Sequence, residues 1–170
     1  MRPTLCILAV AFLSASVGAS GADTISGCYK GPKYIATGLD GDAASKAAVF
    51  NTLAIRAESP GSIEFDIELI SDWGHVCTAR QHAKHVEGQP PSIYLFSANE
   101  QPQDSAETVE LTPTCRLQFQ SEPSEITVQA VGGQCDAYFG CGARTSLNRL
   151  SFSRATKVAL NDSTCKFPEP

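Results

Sequence analysis

The groups in this chain best suited to chemistry lie in two short runs. The first is "GHVCTARQHAKH", which holds His75, Cys77, His82 and His85 within eleven residues and contains every histidine of the protein. The second is "GQCDAYFGCGARTSLNRLSF", residues 133–152, which brings together Cys135, Tyr138, Phe139, Cys141 and Arg144. Histidine and cysteine together are zinc ligands, and zinc wants about four of them in a tetrahedron. The spacing here is not that of a finger or a ribbon, and an oxidised cysteine is no ligand, so no metal site is expected. Cys141, with Arg144 near it to favour a thiolate, has the look of a nucleophile, but a nucleophile must be a free thiol beside a base. The sequence has no Gly-x-Ser-x-Gly elbow, no Gly-x-Gly-x-x-Gly, no P-loop and no His-Glu-x-x-His. "GLDGDAAS", Gly38–Ser45, spaces Asp40 and Asp42 like calcium ligands but lacks the sixth-position glycine and the closing glutamate. No catalytic residue and no cofactor is therefore assigned.

A third group is acidic. In "SIEFDIELI", Ile63, Phe65, Ile67 and Leu69 alternate with Glu64, Asp66 and Glu68. Period two is the mark of a half-buried strand. It sets three carboxylates in a row on the outer face, where they repel unless neighbouring strands answer them. Arg56, on the preceding run, is a candidate partner. The row reads either as a solvated face or as a docking face for a cationic protein, since complementary charge speeds encounter.

The chain that must position these groups is expected to be exported. Arg2, the apolar run Leu5–Val17 and the small residues Gly18–Ala22 have the anatomy of a secretory leader over residues 1–22. The run is shorter than the roughly 20 apolar residues that span a bilayer. Residues 23–170 fit one domain. Losing Arg2 with the leader leaves 12 Lys and Arg against 18 Asp and Glu. That excludes a nucleic-acid binder, which needs clustered cations for phosphates, and suits a basic partner. In an oxidising compartment the six remaining cysteines, Cys28, Cys77, Cys115, Cys135, Cys141 and Cys165, read as disulfides. The expected pairs are Cys135–Cys141 as a local loop, Cys77–Cys115, and Cys28–Cys165 joining the ends. "ISGC" before Cys28 also resembles a lipidation site, although Asp23 and the odd cysteine count left behind weigh against it.

Residues 30–46 are loop-like in composition, with one helical turn expected around Ala43–Ala48. Strands are expected on both sides of the Ser59–Ser62 turn, over His75–Arg80, Ser92–Ser97, "ETVELT", "TCRLQFQ", "SEITVQAV" and "SLNRLSFSR", with a long loop over Gln81–Pro91 and "TKVAL" closing the set. Short strands between Gly/Pro turns, with no long amphipathic helix, point to an all-β antiparallel barrel or sandwich of about eight strands, stapled by disulfides.

"CDAYFGCGARTSLNRLSF", with "GHVC" (Gly74–Cys77) and "CRLQF" (Cys115–Phe119), resembles a cysteine signature of small exported proteobacterial proteins over Gly74–Phe152, about half the chain. These resemble periplasmic β-domains of the lysozyme-inhibitor kind. The resemblance implies a non-catalytic protein that blocks a basic glycan hydrolase. The Tyr-x-Cys strand and Ser-Gly-x-x-Tyr loop of known C-type lysozyme inhibitors are absent, so no inhibitory residue is carried over. The side chains expected to reach a partner are Glu64, Asp66, Glu68, Tyr138 and Arg144, with Tyr138 and Phe139 placing one ring inward and one at the rim. The alternatives are an envelope enzyme using carboxylates or the His75–His85 cluster, and a structural envelope protein.

Overall fold

The computed structural model describes residues 25–38, 45–98, 114–142, 144–162 and 165. The expected leader, "ETVELT" and the aspartates of "GLDGDAAS" lie outside them. Eight strands follow one another: β1 (Gly27–Thr37), β2 (Lys46–Ser59), β3 (Ser62–Ile70), β4 (Val76–His85), β5 (Ile93–Ala98), β6 (Cys115–Ser121), β7 (Glu125–Gly133) and β8 (Arg149–Ser153). A helical turn, α1 (Cys135–Tyr138), and a 3-10 turn (Arg154–Thr156) complete the described elements. Each strand pairs antiparallel with the next, in the order β1 to β8. The meander coils into a nearly closed barrel, as the alternating sequence led us to expect.

Alternation builds the interior. Ile63, Phe65, Ile67 and Leu69 of β3 face inward, as do Leu117 and Phe119 of β6 and Ile126 and Val128 of β7. Phe65 meets Phe119 across the barrel at 4.5 Å between ring centroids and Phe96 of β5 at 5.9 Å. Side chains of strands far apart in the order thus fill the centre, each contributing about 1.5–3 kcal/mol of burial.

Several expectations need correction. The loop-like stretch from residue 30 is mostly strand β1, which absorbs Gly31 and Pro32 in a shift of register between Lys30 and Lys33. Proline is tolerated there because β1 is the first strand of the sheet and the irregularity spares a ladder donor. Lys46–Ala48 begin β2 rather than ending a helical turn. β4 continues to His85, well into the expected loop, because Ala79 and Ala83 keep an inward face. "TKVAL" forms no strand, and only Val158 pairs, in an isolated bridge to Cys28.

The cysteine pairing also differs from the expected one. Cys77 bonds to Cys141, and Cys115 to Cys135, with Cα–Cα distances of 4.8 and 4.5 Å. Cys135 begins a helical turn that follows β7 directly, so it faces the start of β6 rather than its near neighbour Cys141. Gly133 makes that approach possible: its φ is +76°, and a Cβ there would collide with the carbonyl of Thr114. The chain then passes Phe139 and carries Cys141 across to the start of β4. Cys28 and Cys165, the third expected pair, lie together in a small buried cluster and stand there as thiols in contact.

The two closures of the barrel differ from the rest of the ladder. Between β4 and β5 the described register covers only Lys84↔Leu95 and His85↔Tyr94. From there the strands diverge, and residues 135–141 fill the wedge. Tyr138 and Phe139 pack on Phe96 at 5.9 and 5.7 Å, and the two disulfides fasten the segment to β6 and β4. Both rings are half-buried, so neither takes the separate rim position expected from sequence. Between β1 and β8 no ladder forms among the described residues, and residues 154–158 bridge the gap instead.

Candidate functional site

The acidic strand and the stapled corner meet at one end of β3. On the outer wall, cross-strand registers set three rows. Arg56, Glu64 and His82 form the first, Ala54, Asp66 and Arg80 the second, and Thr52, Glu68 and Thr78 the third. Glu64 is buried and held between two guanidiniums: Arg80 donates from Nε at 3.1 Å and Nη2 at 2.8 Å, and Arg56 donates to the other oxygen. Burial raises the cost of its charge, but the two arginines outweigh that and hold its pKa below the ordinary carboxylate range. Arg56 is thus the partner expected from sequence. Arg80 was not expected, because its strand was read as ending there and its register on β3 was unknown. Glu64 is consequently an internal strut of the wall and no longer part of a docking face.

Asp66 and Glu68 are different. Both are half-buried on the outer face, Asp66 at the middle of β3 and Glu68 two residues nearer the β3–β4 turn. Burial pushes the Asp66 carboxyl up, Arg80 lowers it, and the neighbouring charges of Glu68 and Glu64 push it up again, for a net rise.

The β3–β4 turn presents the tryptophan. The hydroxyl of buried Ser71 accepts hydrogen bonds from the backbone N–H groups of Trp73 (3.3 Å) and His75 (3.1 Å). Ser71 N–H donates to the His75 carbonyl at 2.8 Å, and Gly74 supplies the φ of +75° that closes the turn. The end of β1 ties down the same turn, with Thr37 donating twice to the Asp72 carbonyl. Trp73, the single tryptophan of the chain, is left 60% exposed. Arg144 lies over its ring with the guanidinium carbon 4.7 Å from the centroid. Cys77–Cys141 brackets this contact from both sides, joining the strand after the turn to the segment before Arg144. Val76, also exposed, extends the apolar surface.

Of the five side chains expected to reach a partner, Arg144 lies on Trp73 at the β3–β4 turn, Glu68 lies on the outer face near the end of β3, and Asp66 lies at the middle of that strand. Tyr138 is packed against Phe96 and Phe139 in the wedge. Trp73 was missed by the sequence reading, although a lone tryptophan in the turn-like "SDWGH" is a legible sign of an exposed aromatic.

The histidine cluster does not converge. Cys77 is spent in a disulfide, His75 lies exposed in the turn, and His82 Nδ1 is 2.8 Å from Glu58. His85 Nε2 lies 3.1 Å from the carbonyls of Gln89 and Pro90. About 3.3 Å of rise per strand residue separates His75 widely from the other two. Among the described residues, no three His, Cys, Asp or Glu side chains gather as metal ligands, and no helix is long and apolar enough to cross a membrane.

No family model, curated protein or solved structure matches the chain.

Proposed function

We propose that this is an exported, non-catalytic binding protein whose partner is a basic glycan hydrolase of the lysozyme kind. The observation that carries the reading is Trp73, exposed on a turn held by Ser71 and the Cys77–Cys141 staple, at the end of the strand whose outer face carries Asp66 and Glu68. Tryptophan and arginine are the side chains most enriched among the energetic centres of protein interfaces. A large aromatic on a fixed backbone contributes contact area at little entropic cost. The acidic balance of the chain and the Asp66–Glu68 edge steer a cationic partner toward that anchor. The resemblance over Gly74–Phe152 points to the same class of target.

The test uses the sole tryptophan as its own reporter. Titrating the purified protein with a basic lysozyme should change Trp73 fluorescence and slow lysis of peptidoglycan. Trp73→Ala should weaken binding about 30-fold, the scale of an interface hot spot. Asp66→Asn with Glu68→Gln should instead slow association and flatten its salt dependence. Failure to bind or inhibit any basic lysozyme or peptidoglycan amidase would overturn the proposal.

A further inference from the structure

The outer face of β1 carries a second, smaller core. Tyr29 points into the barrel, so its neighbour Cys28 points out, opposite Ala54 on β2. The segment after β8 crosses over this face. Val158 pairs with Cys28 through both backbone bonds, at 3.0 and 2.8 Å. Val158 and Leu160 then pack on Cys28 and Ala54, and two turns, Asp162 N–H to Ala159 and Cys165 N–H to Asp162, bring Cys165 back onto Cys28. Lys30 and Asp162 face each other at 3.9 Å above the cluster. Cys28 is fully buried and Cys165 is 7% exposed. A small residue at position 54 leaves room for the sulfur beside it.

Two cysteines far apart in sequence, buried together in one cluster, are a redox pair in position. We propose that Cys28 and Cys165 form a third disulfide, a clasp that fastens the segment carrying Val158 and Leu160 across β1 and β2 and completes the closure of the barrel. The bond forms by exchange with a disulfide oxidant, either a small-molecule disulfide or a thiol–disulfide oxidoreductase. Cys165, the more accessible sulfur, attacks the oxidant's disulfide as a thiolate and forms a mixed disulfide, releasing one thiol. Cys28 then gives up its proton, attacks Cys165 and releases the second thiol, so two electrons pass to the oxidant and two protons leave the pair. Burial and the neighbouring Cys165 both push the Cys28 thiol up, so the resolving step is slow once the segment has docked. The clasp therefore closes during folding and, once closed, resists reduction. It is independent of which partner the barrel binds.

Refolding the full chain with a mixture of reduced and oxidised glutathione, then alkylating in denaturant without reduction, tests this by intact mass. The expected result is no alkylated sulfur among the six cysteines beyond the leader, and a non-reduced digest in which the Cys28 and Cys165 peptides are linked. Alkylation at both positions, a lipid on Cys28, or linkage of either sulfur elsewhere would overturn the proposal. A second readout does not depend on the bond surviving digestion. In Cys28→Ser with Cys165→Ser, limited proteolysis should cut the segment after β8 at least 10-fold faster than in the oxidised wild type, with the rest of the barrel intact. Equal cleavage rates would also overturn it.

Discussion

The barrel opens at two places, and comparing them shows what each closure needs. At the β4–β5 wedge the ladder stops after Lys84↔Leu95, and the gap is wide enough for a whole segment to enter. It is filled with apolar surface, Tyr138 and Phe139 on Phe96, and fixed by two bonds to different strands. At the β1–β8 seam residues 154–158 bridge the gap through backbone and hydroxyl hydrogen bonds. Cys28 makes both of its backbone bonds to Val158. Two residues on, the Thr156 hydroxyl accepts from Lys30 N–H at 3.1 Å and lies 2.8 Å from the Lys30 carbonyl. One side-chain hydroxyl thus serves both backbone groups of Lys30, as the facing residue of a ladder would. A wide gap needs volume and covalent restraint to be filled at all, whereas the narrow one is bridged by satisfied donors and acceptors.

The difference is open to a direct challenge at the wedge. Cys77–Cys141 closes a loop of 64 residues, which in the chain-entropy view stabilises by about 4 kcal/mol. Replacing both with serine should cost roughly that amount in a denaturant titration. It should also raise hydrogen exchange over Val76–Ala83 of β4 while sparing the amides of Cys28 and Val158. A loss spread evenly over both closures would mean that they are one cooperative unit.

This contrast marks how much of the molecule could be read beforehand. β3 was legible because Ile63, Phe65, Ile67 and Leu69 alternate without a break, and so was Arg56 as a partner for its acidic face. β1 was not, because Gly31 and Pro32 imitate a loop and only the register shift against β2 reconciles them with a strand. The cysteine pairing was illegible because it depends on the direction in which α1 leaves β7, which Gly133 and the Thr114 carbonyl set through a contact nineteen residues apart in sequence. Asp66, Glu68 and Arg144 stood out by residue type and spacing. The contact of Arg144 with Trp73 did not, since the Cys77–Cys141 bond brings the two together across 64 residues of sequence.

The wall between the two closures gives the next test. Glu64 has a folded pKa below its unfolded value, so its pairing with Arg56 and Arg80 stabilises fully above pH about 4.5 and is lost as pH falls through the folded value. Glu64→Gln should cost about 2 kcal/mol at neutral pH, less than a fully buried pair would because both arginines keep access to water. The gap from wild type should shrink in acid. Asp66 has the opposite sign. Its raised pKa makes its charge a cost above the ordinary aspartate range, so Asp66→Asn should stabilise slightly at pH 7, by less than about 1 kcal/mol, and lose that advantage in acid. Neither change should alter the relative order in which the two closures exchange hydrogen. If either does, the wall transmits strain between them.

The smallest effect is expected at the seam. Thr156→Val keeps the shape of the side chain and removes the hydroxyl that serves Lys30 and that also lies 2.7 Å from the Ser153 carbonyl. The Lys30 N–H loses its acceptor, and the seam is exposed enough for water to replace part of what is lost. The cost should be about 1 kcal/mol, the net worth of a hydrogen bond in a solvated setting. The local reading is more telling than the global one. Hydrogen exchange at Lys30 should rise sharply, while Val158 N–H, held by the Cys28 carbonyl at 2.8 Å, should rise only if the segment depends on the hydroxyl for its alignment. Protection surviving at Val158 would assign the register of the seam to the Cys28 bridge and leave Thr156 as a filler of hydrogen-bonding capacity. Joint loss at both positions would make the hydroxyl the element that aligns the segment on β1. In either case exchange in the β4–β5 wedge should stay as it is in the wild type, because its rings and its two disulfides make no use of this bond.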